Sequence, residues 1–221
     1  MNLSTQERIE SLLMTIDQLG MAKIKHLQKK HDLKGYRNAC RVIKQLHPFV
    51  YETFHEKEKI LYLNKEGRRL IGSTKEVKKN NLIEHTLLCN EVYFYFDCPF
   101  DWQTEYRIEV KEPAAALGIQ FKGLTLTNSK QVISDAAFSR NGYLHLIEVD
   151  NIRDMADNKK KIAAYADLFK GWQEKLIPAL YFFTSPARQQ KLKSWIVAAK
   201  IRGDVYTFQH IKDTEKDLLK M

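Results

Sequence analysis

Val132–Asp150, VISDAAFSRNGYLHLIEVD, is the stretch whose reading decides the fold. Two runs rich in β-branched and aromatic residues flank Asn141-Gly142, the dipeptide favoured by a two-residue hairpin turn, whose central positions need positive φ. The pattern predicts two antiparallel strands. Asp135 sits on the first strand, Glu148 and Asp150 on the second. Two residues apart in a strand, Glu148 and Asp150 face the same side. A lysine-rich segment follows, and its pattern predicts a helix from Asn158 that carries Lys161 and Tyr165. Paired acids on strand ends beside a lysine make either a metal site or a charged sheet edge.

Beyond this hairpin, the apolar run IPALYFFT (177–184) predicts a strand buried on both faces. PARQQKLKSWIVAAK (186–200) predicts a helix with proline in its first turn, VYTFQHI (205–211) a last strand, and the residues after it a short helical tail. On the upstream side, WQTEYRIEV (102–110) alternates as a strand does, and LIEHTLLCNEVYFYF (82–96) predicts an apolar helix. Residues 111–131 carry no clear pattern beyond a loop with one short strand. The expected C-terminal domain, residues 82–221, is therefore α/β, with helices against a mixed sheet.

The first 75 residues read differently. Ile9, Leu12, Leu13, Ile16 and Leu19 form a helical stripe behind a Ser4 or Thr5 cap. A second helix spans about 21–30, and a third spans about 36–46 and ends at His47-Pro48. Two short strands, 50–54 and 59–63, are joined by the turn HEKE, and another helix starts near Asn64. Three helices, a two-stranded wing and a helix is the order of a winged helix-turn-helix, with a polar boundary at 72–81. In that arrangement the third helix enters the major groove. Arg37, Asn38, Arg41, Lys44 and Gln45 lie on its outer face, and Arg, Asn and Gln are the side chains that pair bidentately with base edges. Lys34, Lys57 and Lys59 are placed to hold phosphate. The bland alternative is a solvated face on a protein-contact module.

Charge supports the DNA reading. The net charge is +9 over 221 residues; residues 1–80 hold 17 Lys and Arg against 9 Asp and Glu, and residues 81–221 hold 19 against 18. A basic module joined to a near-neutral domain is the footprint of nucleic-acid binding. Cys40, Cys89 and Cys98 lack metal-ligand spacing and read as reduced thiols of a cytoplasmic protein. No apolar run reaches the roughly 18 residues a membrane span needs, and the polar start is unlike a signal peptide. No glycine-rich phosphate loop occurs, which argues against nucleotide hydrolysis.

Several short motifs also carry a resemblance. These are His85-x4-Asn90, Trp102 with Glu105, Ile133-Ser134-Asp135, Glu148-Val149-Asp150 and Lys161-x3-Tyr165. Together they resemble the PD-(D/E)xK nuclease core, and nearly the whole chain is similar to the replication-relaxation family of plasmids and other mobile elements. The resemblance implies an N-terminal winged helix, a C-terminal restriction-endonuclease-like domain, and a role in plasmid replication, mobilisation or its transcriptional control. Its implied partners are double-stranded DNA, replication or mobilisation proteins and a second copy of the chain. A catalytic set of Asp135, Glu148, Asp150 and Lys161 is implied, with Mg²⁺ or Mn²⁺ on the three acids. Glu105 or Glu91 would add a further carboxylate. Ser134 stands where that core has proline, and Asp150 stands where it has lysine; Lys160 or Lys161 on the next helix would have to supply the cation. Two readings therefore remain: a DNA-binding protein with a nuclease-like domain, or a metal-dependent endonuclease or nickase.

Overall fold

The computed structural model describes residues 4–77, 82–111, 129–151 and 153–218. Among these residues the fold is mixed α+β, and contacts divide the chain into two compact units, Met1–Phe94 and Tyr95–Met221.

In the first unit, α1 (Thr5–Leu19) starts at a capping box: Ser4 Oγ accepts from the Glu7 amide, and the Ser4 amide donates to Glu7 Oε2. Gly20, at φ 71°, stops it. A two-residue strand β1 (Ala22–Lys23) precedes α2 (Ile24–Lys30), where the sequence suggests continuous helix. The third helix, α3 (Tyr36–Ile43), then tightens into a 3-10 turn, Lys44–Phe49, because Pro48 has no amide to continue the α ladder. Strands β2 (Val50–His55) and β3 (Glu58–Leu63) pair antiparallel, with β1 on the other edge of β3. Glu56 and Lys57, at φ 48° and 66°, make the hairpin turn between them, so Lys57 stands at its tip.

Helix α4 (Lys65–Ile71) is capped by Asn64, whose Oδ1 accepts from the Gly67 amide while Nδ2 donates to the Pro48 carbonyl. A Cβ at Gly67 would lie 2.1 Å from the Phe49 carbonyl oxygen, so only glycine allows this approach. Leu12, Leu13, Ile16, Leu27, Leu46, Ile60 and Leu61 form the buried centre.

Helix α5 (Ile83–Tyr95) differs from expectation in its allegiance. The sequence suggests that it opens the C-terminal domain. Up to Phe94 it belongs instead to the first unit: Asn90 Nδ2 donates to the carbonyls of Met21 (2.6 Å) and Leu19 (3.3 Å), and Leu87 packs with Met21 and Ile60.

The second unit is built on a five-stranded sheet in sequence order, comprising β4 (Gln103–Lys111), β5 (Ser129–Arg140), β6 (Tyr143–Asp150), β7 (Ile177–Thr184) and β8 (Gly203–Thr207). The first three strands are antiparallel and the last three parallel. The Asn141-Gly142 hairpin forms as expected: Arg140 pairs with Tyr143 across Asn141 and Gly142, at φ 52° and 81°. Parallel pairing requires crossovers, which α6 (Met155–Lys170) and α7 (Pro186–Ala198) supply. Ile162, Tyr165, Leu168, Leu192 and Ile196 from these helices join Leu146, Leu180, Phe182 and Val205 of the sheet in one core.

Two boundaries move from their expected places. Asp154 Oδ1 accepts from the Ala156 amide and starts α6 at Met155, three residues early. The strand expected over 205–211 ends at Thr207, whose hydroxyl accepts from the His210 amide and opens α8 (Phe208–Leu218). Most of the patternless 111–131 segment lies outside the described residues.

Candidate functional site

The eight basic and amide residues expected to meet DNA fall into two groups, set by what their neighbours take. Asn38 is fully engaged: Nδ2 donates to the Leu33 carbonyl and Oδ1 accepts from Arg41 NH2. Gln45 Oε1 accepts from Arg8 NH2, Lys34 pairs with Asp32, and Lys59 pairs with Glu52, the last two at 2.6 Å. The side chains of Arg37, Lys44 and Lys57 are exposed and make no hydrogen bond or ion pair to the described residues. Arg41 is exposed and tied only through Asn38. A run of outward cations thus follows α3, the turn after it and the hairpin tip, where Glu58 is taken by Lys23 and Glu52 by Lys59 while Glu56 stays exposed beside Lys57.

Behind them lies a buried polar knot. Glu91 Oε1 accepts from Lys25 (2.8 Å), Lys23 (3.3 Å) and the fully buried His26 (3.3 Å), and Lys23 also reaches Glu58 at 2.6 Å. Burial pushes the Glu91 carboxyl up, but His26 and the lysines outweigh it and hold it well below the usual carboxylate range. Burial pushes His26 down despite Glu91. Glu91, raised above as a further metal ligand, is thereby spoken for in the first unit.

In the second unit Glu148, near the C-terminal end of β6, meets Lys161 directly and Asp135 stands near them, while Asp150 is held by a different set of partners. Ligands bind at the carboxyl ends of strands in open α/β sheets. Glu148 has no solvent exposure. Its Oε2 accepts from Lys161 Nζ at 2.6 Å and Arg153 NH1 at 3.0 Å, and its Oε1 accepts from the Tyr165 hydroxyl at 2.6 Å. Burial, then the Asp135 charge, pushes the Glu148 carboxyl up, and Lys161 and Tyr165 oppose this only in part. Burial beside the same anion pushes the Tyr165 phenol far up, so it is a fixed donor.

Asp150 is held separately. Its Oδ1 accepts from Asn158 Nδ2 and Arg188 NH1, both at 2.8 Å, and its Oδ2 accepts from the Thr184 hydroxyl at 2.7 Å. Arg188 NH1 also donates to the Arg153 carbonyl, which ties the two cations' supports together.

Asp135 sits where the sheet is interrupted on both sides. Thr104 pairs with Ala136 and Tyr106 with Ser134, yet Glu105 between them takes φ 53° and leaves the ladder. On the other side, the β5–β6 register begins only at Ala136–Ile147, and Asp135 Oδ2 accepts from the Val149 amide at 2.7 Å. Asp135 Oδ1 faces Arg153 NH2 at 3.8 Å. The register is the same on either side of Glu105, so no residue is inserted; a non-glycine residue at positive φ stores strain, and such positions cluster near functional sites.

These donors bear on Mg²⁺ or Mn²⁺. A hard divalent cation in octahedral geometry needs carboxylate oxygens free to converge on it. Both oxygens of Glu148 and both of Asp150 already accept from side chains, and Arg153 spans Asp135 and Glu148 as a built-in cation. Among the described residues no three Asp, Glu, His or Cys side chains are grouped to hold a metal ion. The residues do not fit the metal that the resemblance implied. Lys160 does not supply the cation either: it is exposed and faces Asp157. A cavity of about 480 Å³ in this unit, lined by residues such as Gln103, Arg107, Phe138 and Trp172, includes none of the three acids.

Arg153 and Arg188 escaped the sequence reading. Arg188 left a signal: a cation in the first turn of α7 opposes the helix dipole and so suggests a nearby acid to hold it. Arg153 lies between a strand and a helix cap and left no periodic signal.

Comparison with protein-family profiles and with curated proteins finds no match. Among solved structures, the chain is similar to the crystal structure of protein VC1899 from Vibrio cholerae, with 18% identity and a TM-score of 0.39. The match covers 98% of this chain and 52% of that one, so the chain spans about half the length of that protein. No helix among the described residues is long and apolar enough to cross a membrane.

Proposed function

We propose that this chain is a double-stranded DNA-binding protein whose N-terminal unit is a winged helix-turn-helix and whose C-terminal unit is a nuclease-like domain without a working metal centre. The observation that carries the reading is the set of uncommitted cations Arg37 on α3, Lys44 at the turn that follows it and Lys57 at the hairpin tip. Exposed cations that form no ion pair are drawn to phosphate, and each contact releases counterions from DNA. Arg37 and Arg41, one helical turn apart on α3, can reach base edges, while Lys57 at the hairpin tip holds the backbone. The role in plasmid replication, mobilisation or its control belongs to the same proposal and rests on the motif resemblance.

Fluorescence anisotropy with a labelled duplex across a salt series tests it. The affinity is expected to fall linearly in log–log form with salt, and Arg37→Ala/Lys44→Ala/Lys57→Ala to flatten the slope by about one unit per lost phosphate contact. No binding at low salt would remove the reading. The endonuclease alternative draws on Asp135, Glu148 and Lys161 beside the strained Glu105. Supercoiled plasmid incubated with the protein and Mg²⁺ or Mn²⁺ is expected to stay intact; nicking abolished by both Asp135→Asn and Glu148→Gln would establish the endonuclease instead.

A further inference from the structure

Between α3 and the β2–β3 hairpin lies a groove of about 360 Å³, near the small end of the roughly 300–1,000 Å³ of ligand sites. Its floor is Ile24 and Ile43, both buried, with Cys40 beside them. Two aromatic rings line it and remain mostly in water: Tyr36 from the start of α3 at 63% exposure, and Phe54 from β2 at 66%. Single exposed apolar side chains are ordinary, but two large rings lining one groove beside a buried apolar floor make a candidate contact surface.

The charge around this groove selects the occupant. Its acid, Glu58, is taken by Lys23, and the neighbouring Glu52 by Lys59 and His47. Lys44 and Lys57, which line the same groove, form no ion pair with the described residues. An apolar groove lined by two exposed rings and by two cations that form no ion pair offers a planar base its stacking surface and its phosphates their counter-charge. Base–aromatic stacking is tolerant of sequence and needs the base out of its duplex.

We propose that this groove holds one unpaired nucleobase, so that the protein prefers interrupted DNA (a fork, an overhang or a mismatch) to intact duplex. The inference rests on the DNA-binding reading and deepens it. α3 would lie against duplex while the adjacent unpaired nucleotide enters between Tyr36 and Phe54.

The test compares one labelled duplex with the same duplex carrying a short single-stranded tail, by anisotropy at fixed salt. The tailed substrate should bind about tenfold more tightly, the scale of one base–aromatic stack. Phe54→Ala and, separately, Tyr36→Ala should bring the ratio of the two affinities close to one, and Phe54→Trp should retain it. Both rings are largely exposed, so the core survives truncation, and circular dichroism verifies that. Equal affinity of the wild-type protein for the two substrates, or a preference that persists in both alanine variants, overturns the inference. Strong, salt-dependent duplex binding without preference would sink the groove assignment alone. Absence of binding to either DNA would sink the DNA reading with it.

Discussion

Two clusters, one in each unit, use the same side chains in opposite directions. In the first, Arg37, Lys44 and Lys57 point to water with no partner among the described residues. In the second, Lys161, Arg153 and Arg188 turn inward onto Glu148, Asp135 and Asp150. A cation without a partner is available to a polyanion. A cation locked onto a buried carboxylate is part of the core, because removing either member leaves an uncompensated charge. Basic residues therefore announce a binding face only where the fold leaves them unpaired. The C-terminal cluster is the more elaborate of the two and, for this reason, the less available.

The perturbation expected to act most strongly falls on that cluster. Lys161→Met leaves the fully buried Glu148 short of its closest cation and should lower the unfolding free energy by about 3–5 kcal/mol in urea titration followed by circular dichroism. Duplex affinity should stay unchanged at temperatures where the variant remains folded. A stability loss below about 1 kcal/mol would mean that the inward cations are as dispensable as surface pairs, and the contrast between units would fail.

Next comes the outward set. Arg37→Ala/Lys44→Ala/Lys57→Ala should weaken duplex binding by about tenfold or more at low salt, with stability within about 1 kcal/mol of wild type, as surface changes usually are. If instead the triple variant unfolds, these cations are structural after all.

A smaller effect is expected at the Asn64 cap. Asn64→Ala deprives the Gly67 amide and the Pro48 carbonyl of partners, and should cost about 1 kcal/mol, read from the urea midpoint. It touches no exposed cation, so DNA binding should follow folding alone.

Acidification is the mildest probe. Burial lowers the His26 proton affinity and its neighbours depress the Glu91 carboxyl. In the unfolded chain both groups take up protons more readily than in the fold. Stability of the first unit should therefore be full at neutral pH and fall as the pH drops below the ordinary histidine range, then further below the ordinary carboxylate range. Glu148 has the opposite sign: its raised carboxyl costs stability above the ordinary carboxylate range, and that cost eases on acidification. His26→Gln should flatten the upper limb of the melting-temperature profile; an unchanged profile would show that His26 does not drive that limb.

Much of the local architecture was legible from single residues and spacings. Asn141-Gly142 specified its turn because few other pairs accept two positive φ values. The stripe Leu12, Leu13, Ile16 and Leu19 specified α1, and IPALYFFT a strand, because periodicity and length leave little else. Thr207 misled, since a hydroxyl that caps a helix looks in sequence like another β-branched strand residue. Allegiance was not legible: α5 is apolar enough to serve either neighbour, and it is the Asn90 bonds to the Met21 and Leu19 carbonyls, the Leu87 packing and the Glu91 ion pairs that assign it.

By itself, then, the sequence determined which residues carry charge, where the chain must turn, and that Glu148 and Asp150 share a strand face. Whether each charge is spent or spare was decided by tertiary structure alone. Arg153 lies five residues after Glu148, and Arg188 lies 38 residues after Asp150, yet both close onto those acids. Spacing records only neighbours along the chain, while pairing depends on which strand and helix ends the fold brings together. The same hairpin that looked like a place for a metal carries its cation in its own chain, for that reason.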